Sequence, residues 1–143
     1  MASPVRILLV EDDKVDVMNV QRAFRQRRLR NALYVVGNGA EALDFLHHRG
    51  RFADPKTSPR PGIILLDLNM PVMNGIEFLH AVKSDEQLRL IPVIVLTTSA
   101  DEHDRVESYG LGVAGYIVKP MEFPKFVEAL ATIDMYWELC ELP

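Results

Sequence analysis

The chain has 143 residues, 48% of them hydrophobic and 25% charged, which excludes a disordered chain and suits one domain with a sizeable core. Its formal charge of -4 gives no general attraction for nucleic acid, and its single cysteine, Cys140, excludes an internal disulfide and points to a reducing cytoplasm. No apolar run approaches the roughly 18 residues of a membrane helix, and the N-terminal MASPVRILLVEDD, whose short apolar run ends in acids, is not a secretion signal.

Val5–Val10 (VRILLV) reads as a buried strand that ends in Glu11, Asp12 and Asp13. A helix is predicted from Lys14 to Arg28, with Val17, Val20 and Phe24 on one face and Gln21, Arg22, Arg25 and Arg27 on or beside the other. Ala32–Val36 is a short strand closed by Gly37-Asn38-Gly39, and the helix after it, Ala40–His48, presents Ala42, Leu43 and Leu46 inward. Arg49–Gly62 is the longest stretch without a predicted element, and it holds three prolines and four basic residues. Ile63, Ile64, Leu65 and Leu66 form an unbroken apolar run, the pattern of a strand covered on both faces in a parallel sheet. That run stops at Asp67, and Pro71, Asn74 and Gly75 then force a turn.

Gly75–Ser84 is predicted helical, with Ile76, Leu79 and Val82 at three-residue spacing. Pro92–Leu96 is a fourth strand ending at Thr97-Thr98-Ser99, and a helix follows from Asp101 to Tyr109. Val113–Val118 is a fifth strand ending at Lys119-Pro120. A last helix from Glu122 carries Phe123, Phe126, Val127, Leu130 and Ile133 on one face and continues into Trp137.

Five strands alternating with five helices predict an α/β fold, a three-layer sandwich around a parallel sheet. Every strand of such a sheet points its carboxyl end to one edge, so Glu11, Asp12, Asp67, Thr97 and Lys119 converge from four strands. Asp67 alone would serve as well to cap a turn. The whole set is hard to explain by structure: acids beside a hydroxyl and an ammonium form a chemically consistent group.

These residues resemble the receiver domain of two-component response regulators, over nearly the whole chain. ILLVEDD is similar to the family's acidic pair, Glu11 and Asp12; LLDLNMPVMNG to its phosphoacceptor loop, with Asp67 as acceptor; VIVLTTSA supplies Thr97; and YIVKP supplies the switch aromatic Tyr116 and Lys119. The resemblance implies a flavodoxin-like (βα)5 fold with strand order 2-1-3-4-5, one receiver domain over residues 1–143 and no output domain. It also implies Mg²⁺ held directly by Asp12, Asp67 and the backbone carbonyl of Asn69, with Glu11 acting through water. Asp67 would take a phosphoryl group from a phosphohistidine, with Thr97 and Lys119 assisting at its oxygens and Thr97 and Tyr116 forming the switch. The resemblance thus implies a protein that catalyses only its own charging and resetting and is not an enzyme in the usual sense.

The Arg49–Gly62 insertion and the ending YWELCELP resemble the short regulators paired with bacterial and cyanobacterial phytochrome kinases. The implied partners are a sensor histidine kinase, with a phytochrome as the candidate, a downstream histidine phosphotransfer protein, and a second copy of the chain. No nucleic acid or membrane is implied, and the expected location is cytoplasmic. A protein contact is expected because Tyr136, Trp137, Leu139, Cys140 and Leu142 prolong the last helix's apolar surface, and the resemblance implies a dimer across the fourth helix, fifth strand and fifth helix, the surface receivers commonly use. The alternative is a tail folded over the domain's own edge.

The insertion joins a helix end to a strand start, on the edge opposite the acids, so it is expected to be no active-site lid. A solvated, proline-stiffened spacer and a docking role both remain open for it. His47 and His48 are expected to be solvated, since adjacent histidines on a helix do not face one ion, and His80 and His103 are read as surface residues. Cys140 reads as an inert thiol, and core packing competes with the switch role at Tyr116. Two rival functions stand beside the receiver. A haloacid-dehalogenase-like phosphatase also uses a strand-end Asp, but it needs a second Asp where this chain has Asn69. An unphosphorylated scaffold would not need the complete set of acids, hydroxyl and lysine.

Overall fold

Two apolar runs, Ile7–Val10 and Ile63–Leu66, lie at the centre of the molecule, and their burial on both faces dictates the rest. In the computed structural model, which describes residues 6–26, 31–68, 70, 72–97, 100–118 and 128, they form β1 (Ile7–Val10) and β3 (Ile63–Asp67), and every residue of both is buried. The other elements are α1 (Lys14–Gln26), β2 (Leu33–Val36), α2 (Gly39–His47), α3 (Gly75–Lys83), β4 (Val93–Thr97), α4 (Ala100–Ser108) and β5 (Gly115–Val118). The five strands are parallel and ordered β2-β1-β3-β4-β5, the flavodoxin-like arrangement expected. Of the predicted fifth helix only Glu128, which is helical, is among the described residues; Trp137 and the rest of the tail lie outside them.

Side chains along the strands alternate between two core layers, as the period of two requires. Leu8, Val10, Ile64 and Leu66 face one layer with Phe45, Leu46, Phe78, Leu79 and Val82 of α2 and α3. Ile7, Leu9, Ile63 and Leu65 face the other, with Val20, Ala23 and Phe24 of α1. Each such side chain contributes about 1.5–3 kcal/mol on leaving water, so the two layers fix the sheet.

Element ends follow local chemistry. Pro92, which has no N–H to give a ladder, stands just before β4, and its carbonyl accepts from the Ile64 N–H at 3.0 Å. Asn38 caps α2, its Oδ1 accepting the Glu41 N–H at 2.9 Å, so the helix begins one residue earlier than its apolar pattern indicates. Asn74 opens α3 with a capping box: its Oδ1 accepts from the Glu77 N–H at 2.9 Å, and Glu77 Oε1 accepts from the Asn74 N–H at 3.2 Å.

The insertion is more ordered than a solvated spacer, one of the two readings open for it. His48 adopts the left-handed conformation (φ 55, ψ 51) at the end of α2 and turns the chain back, so that Gly50–Phe52 forms a single 3-10 turn. The Phe52 ring meets Phe45 edge-on at 5.3 Å, and Phe45 in turn packs on Tyr34 at 5.6 Å. His48 is half-buried, and its Nε2–H donates to the buried Ser58 carbonyl at 2.8 Å, because that oxygen can only accept. The expectation of a solvated His48 is therefore corrected, whereas His47 and His80 are exposed. A further 3-10 turn at Leu88–Leu90, absent from the sequence reading, buries Leu88; Asp85 Oδ1 accepts from the Leu88 and Gln87 N–H groups at its start, and these bonds pull the Asp85 carboxyl below its ordinary pKa.

Gly75, the first residue of α3, sits so close to the end of β3 that a Cβ there would lie 2.5 Å from the Asp67 carbonyl oxygen and 2.7 Å from Leu68 Cα. Both are backbone atoms and neither can swing aside. Gly75→Ala is expected to lower unfolding stability by about 2 kcal/mol, read as a lowered urea midpoint at unchanged slope.

Candidate functional site

Val10 pairs with Leu66, so the next residues of the two strands, Glu11 and Asp67, come level at the carboxyl edge. Glu11 remains in the ladder, its N–H donating to the Val36 carbonyl at 3.0 Å, and this holds its side chain beside the end of β3. One carboxylate oxygen from each of Glu11, Asp12 and Asp67 lies within 4.8 Å of the others. Glu11 is 2% exposed and Asp67 4%, whereas Asp12 faces solvent.

The third acid of the run has a different task. Asp13 Oδ1 accepts from the N–H groups of Val15 at 2.8 Å and Asp16 at 3.2 Å and so caps α1. Capping leaves Glu11 and Asp12 as the pair that faces Asp67.

Crowded carboxylates repel, and two of these three are removed from water, so the group suits a cation that offsets their charge. Its donors are oxygens alone, without histidine or cysteine, which fits a hard divalent ion rather than zinc. Among the described residues this is the only group of three such ligands.

The loop after Asp67 is fixed by its backbone. Leu68 and Met70 are buried, the Gly75 N–H closes onto the Leu68 carbonyl at 3.0 Å, and the Met73 carbonyl accepts from the Gly39 N–H at 3.0 Å. Val72 holds φ 68 with its side chain 82% exposed. A β-branched residue in the left-handed region costs on the order of 1–2 kcal/mol, so the surrounding bonds hold this loop in a strained form next to the acids. Asn69 and Pro71, within the same loop, lie outside the described residues.

Thr97 ends β4 opposite Val118, at the same edge as Asp67, and is described in its backbone only. Lys119 follows β5 directly and lies outside the described residues. Tyr116 is half-buried in β5, and its ring packs on the larger core layer while its hydroxyl donates to Glu107 Oε1 of α4 at 2.8 Å. Burial, then the bond to the Glu107 carboxylate and its charge, push the Tyr116 pKa up to about 12. Glu107 went unnoticed in the sequence because nothing in a nine-residue separation across a loop marks the pair.

A family model described as the response regulator receiver domain matches residues 7–131. The chain is 38% identical over 141 residues to the response regulator Rcp1 of Synechocystis, covering 98% of this chain and 94% of that protein. A solved Mn²⁺-bound form of Rcp1 has a TM-score of 0.78 and covers 94% of both chains. The phosphorylated cyanobacterial phytochrome response regulator RcpA is 36% identical, with a TM-score of 0.83 over 98% of both chains. The bacteriophytochrome response regulator RtBRR is 48% identical with a TM-score of 0.80, over 90% of this chain and 77% of that one.

Because folding favours the protonated Tyr116, its contribution to stability is fully present below pH 10 and is lost as pH rises from 10 to about 12. Absorbance titration should give one tyrosine ionising near 12, and Glu107→Gln should lower that value.

Proposed function

The chain belongs to the response regulator receiver family, and from that premise we propose that it takes a phosphoryl group from the phosphohistidine of a sensor histidine kinase onto Asp67. The observation that carries this reading is the cluster of Glu11, Asp12 and Asp67 within 4.8 Å at the ends of β1 and β3. Asp67 Oδ attacks phosphorus in line, forming a P–O bond as the P–N bond breaks, and the histidine nitrogen keeps the electron pair. Lys119 balances charge on the transferring oxygens, and the Thr97 hydroxyl donates to one of them. Water later hydrolyses the acyl phosphate and restores the carboxylate.

Asp12, Asp67 and the Asn69 carbonyl would hold Mg²⁺ directly and Glu11 would reach it through water; the ion would supply positive charge for the acids and the phosphoryl oxygens. The Mn²⁺-bound form of Rcp1 supports a divalent ion in this family. Val15, Met18 and Val72, exposed apolar residues on α1 and on the loop after Asp67, suit the approach of a protein donor rather than a small ester. The likeness to RcpA and RtBRR supports a phytochrome as that kinase.

The output we infer is a protein contact. Thr97 moves toward the phosphoryl group, Tyr116 leaves Glu107 and turns inward, and the surface of α4 and β5 changes shape. That surface then pairs with a second copy of the chain, or a downstream phosphotransfer protein takes the phosphoryl group. Among the described residues no helix is long and apolar enough to cross a membrane, and we propose a cytoplasmic setting.

Acetyl phosphate with Mg²⁺ is expected to add one phosphoryl group, seen by mass spectrometry, and Asp67→Asn to abolish it; stoichiometric labelling of that variant would overturn the assignment. In calorimetric Mg²⁺ titrations, Asp12→Ala should weaken binding by about tenfold or more, and Glu11→Ala by less, since direct ligation outweighs a contact through water. Equal losses would remove the distinction between the two acids.

A further inference from the structure

The insertion belongs to no part of the machinery above, yet one of its side chains reaches that end of the molecule. Arg51 Nη2 donates to Glu41 Oε1 at 2.7 Å, although Glu41 lies in the first turn of α2 and the insertion leaves from the last. Arg51 is held for this by its own neighbour: its guanidinium lies 4.5 Å from the centre of the Phe52 ring, which is docked on Phe45. The other oxygen, Glu41 Oε2, accepts from the Gly37 N–H at 2.6 Å. A Cβ on Gly37 would come within 3.1 Å of that same oxygen, so the glycine makes room for it.

Glu41 thereby clamps Gly37-Asn38-Gly39, a triplet whose two glycines leave its conformation barely fixed by sterics. The triplet is also the strut of the loop after Asp67. The Gly39 N–H donates to the Met73 carbonyl at 3.0 Å, and a Cβ on Gly39 would lie 2.8 Å from Met73 Cγ and 3.0 Å from Phe78 Cβ. The hydrogen bond is backbone to backbone, and the Met73 side chain packs against the same glycine.

We propose that Arg51, acting through Glu41, is a positioning residue for the loop that follows Asp67: the insertion braces the opening turn of α2, and that turn braces the loop. The proposal rests on the phosphoacceptor reading for its effect on phosphorylation, but not for its mechanical part. It also corrects the view of the insertion as confined to the far edge. Its ends lie there, and Arg51 spans the six residues from His47 back to Glu41, about 9 Å of helix.

A neighbouring ion pair supplies the control. Arg49 and Asp44 approach to 3.4 Å with side chains 58% and 49% exposed, much like Arg51 and Glu41 at 66% and 36%, but neither touches the triplet. In the full-length chain, amide exchange of Gly39 by NMR and the initial rate of labelling by acetyl phosphate are measured together. Arg51→Ala should speed Gly39 exchange about threefold and slow labelling by a similar factor, the scale of one exposed ion pair. Glu41→Ala, which also removes the acceptor for Gly37, should give about tenfold in both. Arg51→Lys should fall between wild type and Arg51→Ala, since it keeps the charge without the planar stack. Arg49→Ala should change neither quantity. Equal behaviour of Arg51→Ala and Arg49→Ala in the exchange measurement would overturn the proposal. Failure of the wild type to label at Asp67, with the exchange difference intact, would sink the phosphoacceptor reading and leave the brace standing.

Discussion

The pairing of β1 with β3 in one register, Val10 opposite Leu66, holds Glu11 level with Asp67 and cannot shift by a residue. A slip of one would exchange the two faces of a strand, sending Leu8 and Val10 into the layer of Ile7 and Leu9. Both layers are filled by fully buried side chains, so every residue moved would meet a wall of the wrong shape. That lock is what permits like charges to be held within 4.8 Å of one another. Repulsion among three carboxylates costs stability, and burial of the strands that carry them offsets it.

The loop after Asp67 rests on a different kind of constraint. Apolar packing anchors Leu68, Met70 and the half-buried Met73, and backbone hydrogen bonds fix the frame, from Gly75 to Leu68 and from Gly39 to Met73. The capping box at Asn74 begins α3 at once and leaves no slack at the loop's far end. Such a frame tolerates a valine in the left-handed region, a conformation that a loop held at its ends alone would relax. Glycines at 39 and 75 serve close approach here rather than a special φ.

The sequence made the sheet legible because a strand buried on both faces writes itself as an unbroken apolar run, as at Ile63–Leu66. The acids that end such runs are legible for the same reason, and strand-end placement alone brings Glu11, Asp12 and Asp67 together. The task of Asp13 is not legible there, since only the geometry of the opening turn of α1 shows that this acid caps it. The order of the insertion is not legible in sequence because it comes from contacts that have no period: a left-handed histidine, a ring on a ring, and a serine carbonyl buried ten residues away. Prolines and basic residues advertise a solvated loop, and Phe52, the residue that contradicts this, is single and easily passed over.

Tyr116 shows how finely the proposed switch has to be balanced. Its ring leans on the core while its hydroxyl is held by a carboxylate near the surface, so leaving Glu107 breaks one charge-assisted hydrogen bond and little packing. Charge-assisted bonds contribute about 1.5–3 kcal/mol, and less where water competes, as it does here. The coupling free energy typical of a two-state switch is about 1–3 kcal/mol. The two are of one size, so in the proposed switch the bond would favour the observed rotamer and yet yield to a phosphoryl group at Asp67. A buried partner in place of Glu107 would hold the ring beyond the reach of that coupling, and a solvated one would leave it with no preference. Placing the acceptor on the exposed face of α4 sets the bond between these limits.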